Sequence, residues 1–144
     1  MTSKEKYGYW LELVNYDLET ARALIDAEKW TYVAVLCQQA VERLVKGMFV
    51  YHTNKEAPKS HNVMFLINKM AANEKFLEST ESARFVQEKE KQEDFILDLM
   101  YYYINDYPFS YKKVMDRFIK KEVALKIYES TLELIDWLKG FQES

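Results

Sequence analysis

From Val33 to Val50 the sequence reads VAVLCQQAVERLVKGMFV, an apolar run interrupted by Gln38, Gln39, Glu42, Arg43 and Lys46. Two amides, an acid and two bases within a few helical turns are groups that hold a polar ligand or lock onto another polar surface. Glu42 and Lys46 stand four apart in the favourable orientation for a helical ion pair, worth roughly 0.2–0.5 kcal/mol in water. One reading is therefore local: the groups satisfy one another and the nearby backbone. The other is a ligand groove or a dimer seam. Val35 before the patch and Phe49 and Val50 after it lie on the same side of the helix, so the patch is expected to face something other than open water.

Other chemistries find less support. No Glu stands three residues before His52 or His61, so the Glu-x-x-His pairs of di-metal bundles are missing. H-E-x-x-H, C-x-x-C and the Gly-rich phosphate loop are also missing, and no metal or cofactor is implied. Cys37 falls on the apolar arc of its helix and reads as an inert core thiol. His61 follows a Pro-Lys-Ser loop at the start of a helix, where it either packs locally or meets a ligand. A second cluster, YPFSYKKVMDRFIKK from Tyr107 to Lys121, carries five bases against one acid, with aromatics between them. Lys112, Lys113 and Arg117 are its candidate anion contacts, since aromatic faces beside cations suit a nucleotide or a single nucleic-acid strand. The plainer account is a connector anchored by its aromatics with its lysines solvated. Residues 74–98 are acidic, eight acids against four bases, so the surface is dipolar and would steer a partner protein equally well.

These groups need elements to place them. At about 100° per residue, Trp10, Leu11, Val14, Leu18, Ala21 and Ile25 share one arc, which predicts a helix from Tyr7 to about Ala27. A second helix is expected over Thr31–Tyr51 and a short third over Val63–Met70. A fourth should run from Glu81 to Asn105, capped by Ser79 or Thr80 and stopped ahead of Pro108. Its charge-rich first half, Gln87 to Asp94, is expected to project into water or bend away from the core. The last helix is expected over Lys120–Lys139, with Gly140 as its C′ residue. No strand-like alternation, repeat or linker is visible. One domain spanning residues 1–144 follows: an all-α, four- to five-helix up-and-down bundle.

Composition agrees. With 49% hydrophobic residues the 144-residue chain is globular, and only 3 Gly and 2 Pro leave few helix breaks. A net charge of −3 argues against bulk attraction to nucleic acid or an anionic membrane. One cysteine suits a reducing compartment, and neither a leader nor a membrane-spanning run is evident, so a cytoplasmic protein is expected.

The order of several short pieces resembles the HEPN domain (higher eukaryotes and prokaryotes nucleotide-binding). They are Trp10-Leu11, Asp17-Leu18 and Ala21 in the first helix, then Gln39-Ala40, Glu42-Arg43 and Lys46-Gly47 in the second. His61, Val63 and Leu66 open the third helix, and YYINDYP, Tyr102 to Pro108, ends the fourth. The resemblance implies a homodimer, a functional partnership with a nucleotidyltransferase-like protein of toxin–antitoxin type, and a nucleotide near the second and fourth helices. It would place Gln39, Glu42, Lys46, His61, Asp106 and Tyr107 around that ligand. Lys46 would contact phosphate, Tyr107 would stack and Gln39 would offer base-edge hydrogen bonds. Asp106 stands where the family usually has arginine. The Arg-x(4–6)-His pair of the superfamily's ribonucleases is missing before both histidines. Binding rather than catalysis is therefore the expected activity. The rivals are an interaction module with no small ligand and a ribonuclease with an altered site.

Overall fold

The computed structural model describes residues 1–104 and 119–142. Six helices follow in order: α1 (Ser3–Asp26), α2 (Val33–Thr53), α3 (Val63–Ala71), α4 (Glu74–Leu77), α5 (Ser82–Ile104) and α6 (Lys121–Lys139). The described residues contain no strand, as the bundle reading requires. None of these helices is long and apolar enough to cross a membrane.

The helix starts follow local chemistry. Thr2 accepts from the Glu5 N–H at 3.1 Å while Glu5 reaches back to the Thr2 N–H, a capping box that sets α1 going four residues before the apolar periodicity does. Asn62 caps α3 by accepting from the Phe65 N–H, and Asn73 caps the one-turn α4. That turn exists to deliver Phe76. Its fully buried ring packs edge-on against His52 of α2 and Phe85 of α5, and Phe85 in turn stacks on Trp137 of α6.

α2 is the axle: it packs against all five other helices, most extensively α1. Val33, Ala34, Cys37, Ala40, Val41, Leu44, Val45 and Met48 are fully buried on one side, and Phe49 and Val50 are buried on the other. Its seam with α1 is close because Gly47 has no side chain. A Cβ there would lie 2.7 Å from Trp10 Cβ and 3.3 Å from Tyr7 Cδ2.

Two expectations change: one narrows and one is corrected. The charged half of α5 does not bend away from the core; its charges face water within a continuous helix. Fully buried Phe85 pins it, Trp137 Nε1 donates to Glu88 at 2.8 Å, and Lys89 Nζ donates to Asn68. Glu90, Lys91, Glu93 and Asp94 simply face water along the bundle. Gly140 is not left-handed either; at φ −59° it extends α6 so that Phe141 folds in beneath Phe85 and Trp137. The left-handed positions are Glu28 at φ 58° and Asn54, which ends α2 at φ 62°.

The α1–α2 seam is testable through the glycines. Gly47→Ala gains about 1 kcal/mol of helix propensity but must displace Trp10, an overpacking that costs about 1–3 kcal/mol, so the variant should unfold at lower denaturant. Gly8→Ala meets nothing within 4 Å and should raise stability by up to about 1 kcal/mol. Equal shifts in urea midpoint for the two variants would refute this account of the seam.

Candidate functional site

The polar residues of α2 leave the helix in two directions, and the chain itself meets both. Toward α1, Asp17 is 2% exposed and accepts from Gln39 Nε2 at 3.0 Å and from Arg43 Nη1 at 3.0 and 3.1 Å. Asp17 shares the inward arc of α1 with Val14, Ala21 and Ile25, so its carboxylate arrives in the seam by helical spacing. Burial pushes its pKa above the ordinary value, while hydrogen bonds from Gln39 and the Arg43 charge pull it back.

Toward the loop before α3, Glu42 is 6% exposed and accepts from Lys46 Nζ at 3.1 Å and from His61 Nδ1 at 3.0 Å. The Lys46 side chain is largely covered, whereas the His61 ring is 69% exposed and marks the outer edge of the cluster. Beneath it, fully buried Gln38 donates through Nε2 to the His61 carbonyl at 3.1 Å, which ties α2 to the α3 loop. Its other amide atom, Oε1, is buried without a hydrogen-bond partner among the described residues. A buried acceptor left so costs roughly 1–3 kcal/mol unless water or a ligand reaches it.

Of the residues expected around a ligand, the fold thus gathers Glu42, Lys46 and His61. Gln39 is turned the other way, its amide committed to Asp17, and the amide beside His61 is Gln38. Asp106, Tyr107, Lys112, Lys113 and Arg117 lie outside the described residues. Gln38 was visible in the sequence as part of the polar stripe; its burial was not. Asp17 was visible only as a motif residue, since its partners depend on how α1 and α2 register.

The remaining chemistry is quiet. Cys37 is fully buried, and burial pushes its thiol up to about 11. Among the described residues no three His, Cys, Asp or Glu side chains gather as metal ligands. Two surface depressions lie away from the Glu42 cluster. One, about 410 Å³, runs between α5 and α6 over Phe95, Leu99 and Ile127; the other, about 370 Å³, adjoins α4. His52 is half-buried between Tyr51 and Phe76, and its Nε2–H donates to Gln142 Oε1 at 2.6 Å. Burial lowers its pKa below 6.5, with the Gln142 bond acting the other way.

A family model described as HEPN domain matches residues 7–141. The chain belongs to the HEPN family. No curated protein and no solved structure matches it. The family match runs from Tyr7 in α1 to Phe141 after α6, so both halves of the polar stripe sit within the HEPN core.

Two outcomes follow for this HEPN chain. Asp17→Ala leaves the Gln39 amide and the Arg43 guanidinium facing each other in the seam and should cost about 2–3 kcal/mol. Adding Arg43→Ala should then cost less than the sum of the two single changes in urea unfolding. His52 has a folded pKa below its unfolded value near 6.5, so the stability it contributes is present above that pH and is lost as pH falls through the lower folded value. The Tm of His52→Phe should therefore fall less than wild type between pH 7.5 and 5.5; parallel curves would show that His52 is not the source.

Proposed function

We propose that this HEPN chain acts by binding rather than catalysis, taking a nucleotide at the Glu42–Lys46–His61 cluster and working with a nucleotidyltransferase-like partner in a toxin–antitoxin type pair. The observation that carries the ligand half of this reading is the gathering of an acid, a base and an exposed imidazole, with Gln38 tied to the His61 carbonyl and its amide oxygen buried without a partner among the described residues. Phosphate would draw Lys46 Nζ away from Glu42, and Glu42 would keep His61 and accept from a ribose hydroxyl or a base N–H. The base-edge role assigned to Gln39 passes to Gln38, whose Oε1 accepts a ring or exocyclic N–H once a ligand reaches it. Tyr107 as the stacking group, Asp106 beside it, and Lys112, Lys113 and Arg117 as outer anion contacts complete the proposal.

A second reading, an interaction module without a small ligand, is favoured by one feature. Asp17, Glu42, Arg43 and Lys46 already have ion-pair partners within the chain. Thermal denaturation with a nucleotide panel at fixed salt separates the two. At about 100 times Kd the native state gains roughly 2.7 kcal/mol, and each kcal/mol moves the Tm of a domain near this size by roughly 2–8 °C. A nucleotide-induced shift that Lys46→Met abolishes, with the unliganded variant still folded by circular dichroism, is the expected result. A panel without any shift would leave the interaction module as the better account.

A further inference from the structure

α5 and α6 close on each other at one end, where Phe85 stacks on Trp137 with ring centroids 5.3 Å apart. Toward the C-terminal end of α5 and the N-terminal end of α6 they leave between them the depression of about 410 Å³. Leu99 and Ile127 are its buried floor, and Phe95, Tyr102 and Val123 are its walls. Phe95, Leu99 and Tyr102 recur four and three residues apart on one stripe of α5, so the groove is about 10 Å long at 1.5 Å per residue. Val123 stays 40% exposed in it.

Acids edge this apolar groove. Asp98 and Glu122 line it, and helical spacing sets Asp94 beside Asp98 on α5, and Glu129 and Glu133 along the same edge of α6. All five are exposed, and none is held in an ion pair among the described residues. Two bases, Lys91 and Lys126, stand among them, so the rim is negative. We propose that this groove docks a basic amphipathic segment of a partner protein. The segment seats two bulky apolar side chains over Leu99 and Ile127 and sets lysine or arginine against the acids of both helices.

Charge and length select this occupant. The acidic edge of α6 runs from Glu122 to Glu133, about 16 Å, which outreaches a small apolar molecule in the groove and matches a three-turn helix. A nucleic-acid strand or an anionic membrane would bring more negative charge to a negative rim. A two-fold contact with a second copy would set this acidic face against itself. A basic segment relieves the repulsion among the five acids and brings apolar side chains for the floor. It also gives a use to the charged half of α5, which bundle packing leaves in water. The apolar anchors hold the segment and the charges speed its arrival, so added salt should act mainly on the association rate. The groove lies away from Glu42, Lys46 and His61, and the proposal stands apart from the nucleotide reading.

A displayed library of random 16-residue peptides panned on the full chain, followed by fluorescence anisotropy of the winning peptide, is the test. Winners should carry two bulky apolar residues three or four apart with lysine or arginine around them. Val123→Glu separates docking from mere charge. It makes the rim more acidic, so attraction by charge alone would tighten binding, whereas loss of the apolar seat should weaken it at least tenfold. Asp98→Lys with Glu122→Gln should also weaken it at least tenfold and flatten its salt dependence, while Lys46→Met should leave it unchanged. The substituted groove side chains are exposed, and Glu suits the first turn of α6, so circular dichroism should match wild type. Acidic or wholly polar winners overturn the proposal, and so does a library without enrichment. Tighter binding to Val123→Glu would reduce the effect to charge and overturn it too. Equal affinity for leucine or phenylalanine amide alone would make the groove a small-molecule pocket instead. Sedimentation showing two copies that Val123→Glu separates would assign the face to a second copy, against the proposal.

Discussion

Asp17 and Arg43 meet in the seam between α1 and α2, and the arrangement of the bundle depends on that meeting being satisfied. α2 is surrounded by the other helices, so its polar side chains have little open water to fall back on. Asp17 supplies the counter-charge from α1, and its two oxygens receive the guanidinium and the Gln39 amide together. Such a pair adds little net stability, because its desolvation offsets most of its attraction. What it does add is register. Sliding α1 by one turn along α2 would bury a carboxylate without its base, and Gly47, one turn further along α2, restricts the same slide by admitting Trp10 at only one level.

That constraint explains which parts of the fold were legible in the sequence. Apolar spacing located the long helices, because Val14, Ala21, Ala40, Leu44, Ile127 and Leu134 announce their faces without reference to any neighbour. It placed the start of α1 at Tyr7 rather than Ser3 because the Thr2–Glu5 capping box is a polar signal that hydrophobic spacing does not register. α4 is a single turn, too short to have a period, and its role is set by where Phe76 lands. Gly140 was read by the usual preference of helix ends, but the demand of Phe141 for cover beneath Phe85 and Trp137 outweighed that preference.

The site divided along the same line. Glu42 with Lys46 was legible because both residues sit on one helix, and His61 was singled out by its motif. The distance that joins His61 to Glu42 belongs to the fold. Gln39 and Arg43 look equivalent to Glu42 and Lys46 in sequence, since all four occupy one stripe. Only the position of Asp17 shows that the stripe splits between two different neighbours. What the described residues bring to the stripe is the chain's own α1 and α3 loop, which is the local reading of these groups.

A ligand at the Glu42 cluster must exchange bonds rather than find vacant ones. On the proposed reading, Lys46 would reach a phosphate by loosening its contact with a carboxylate that is 6% exposed and that His61 also holds. An anion such as sulfate would bring no donor to replace Lys46, so the Coulomb gain at Lys46 would be offset by repulsion from Glu42. A nucleotide, on the proposed reading, would bring both halves: negative charge for Lys46, and hydroxyl or ring N–H groups for Glu42 and the Gln38 oxygen. On the proposed nucleotide reading, the exchange would disfavour simple anions, because Glu42 would lose Lys46 and keep the His61 contact without a replacement for the lost donor. Selectivity of this kind would come from the satisfied pairs themselves, which is a physical reason why groups that already have partners can still form a binding site.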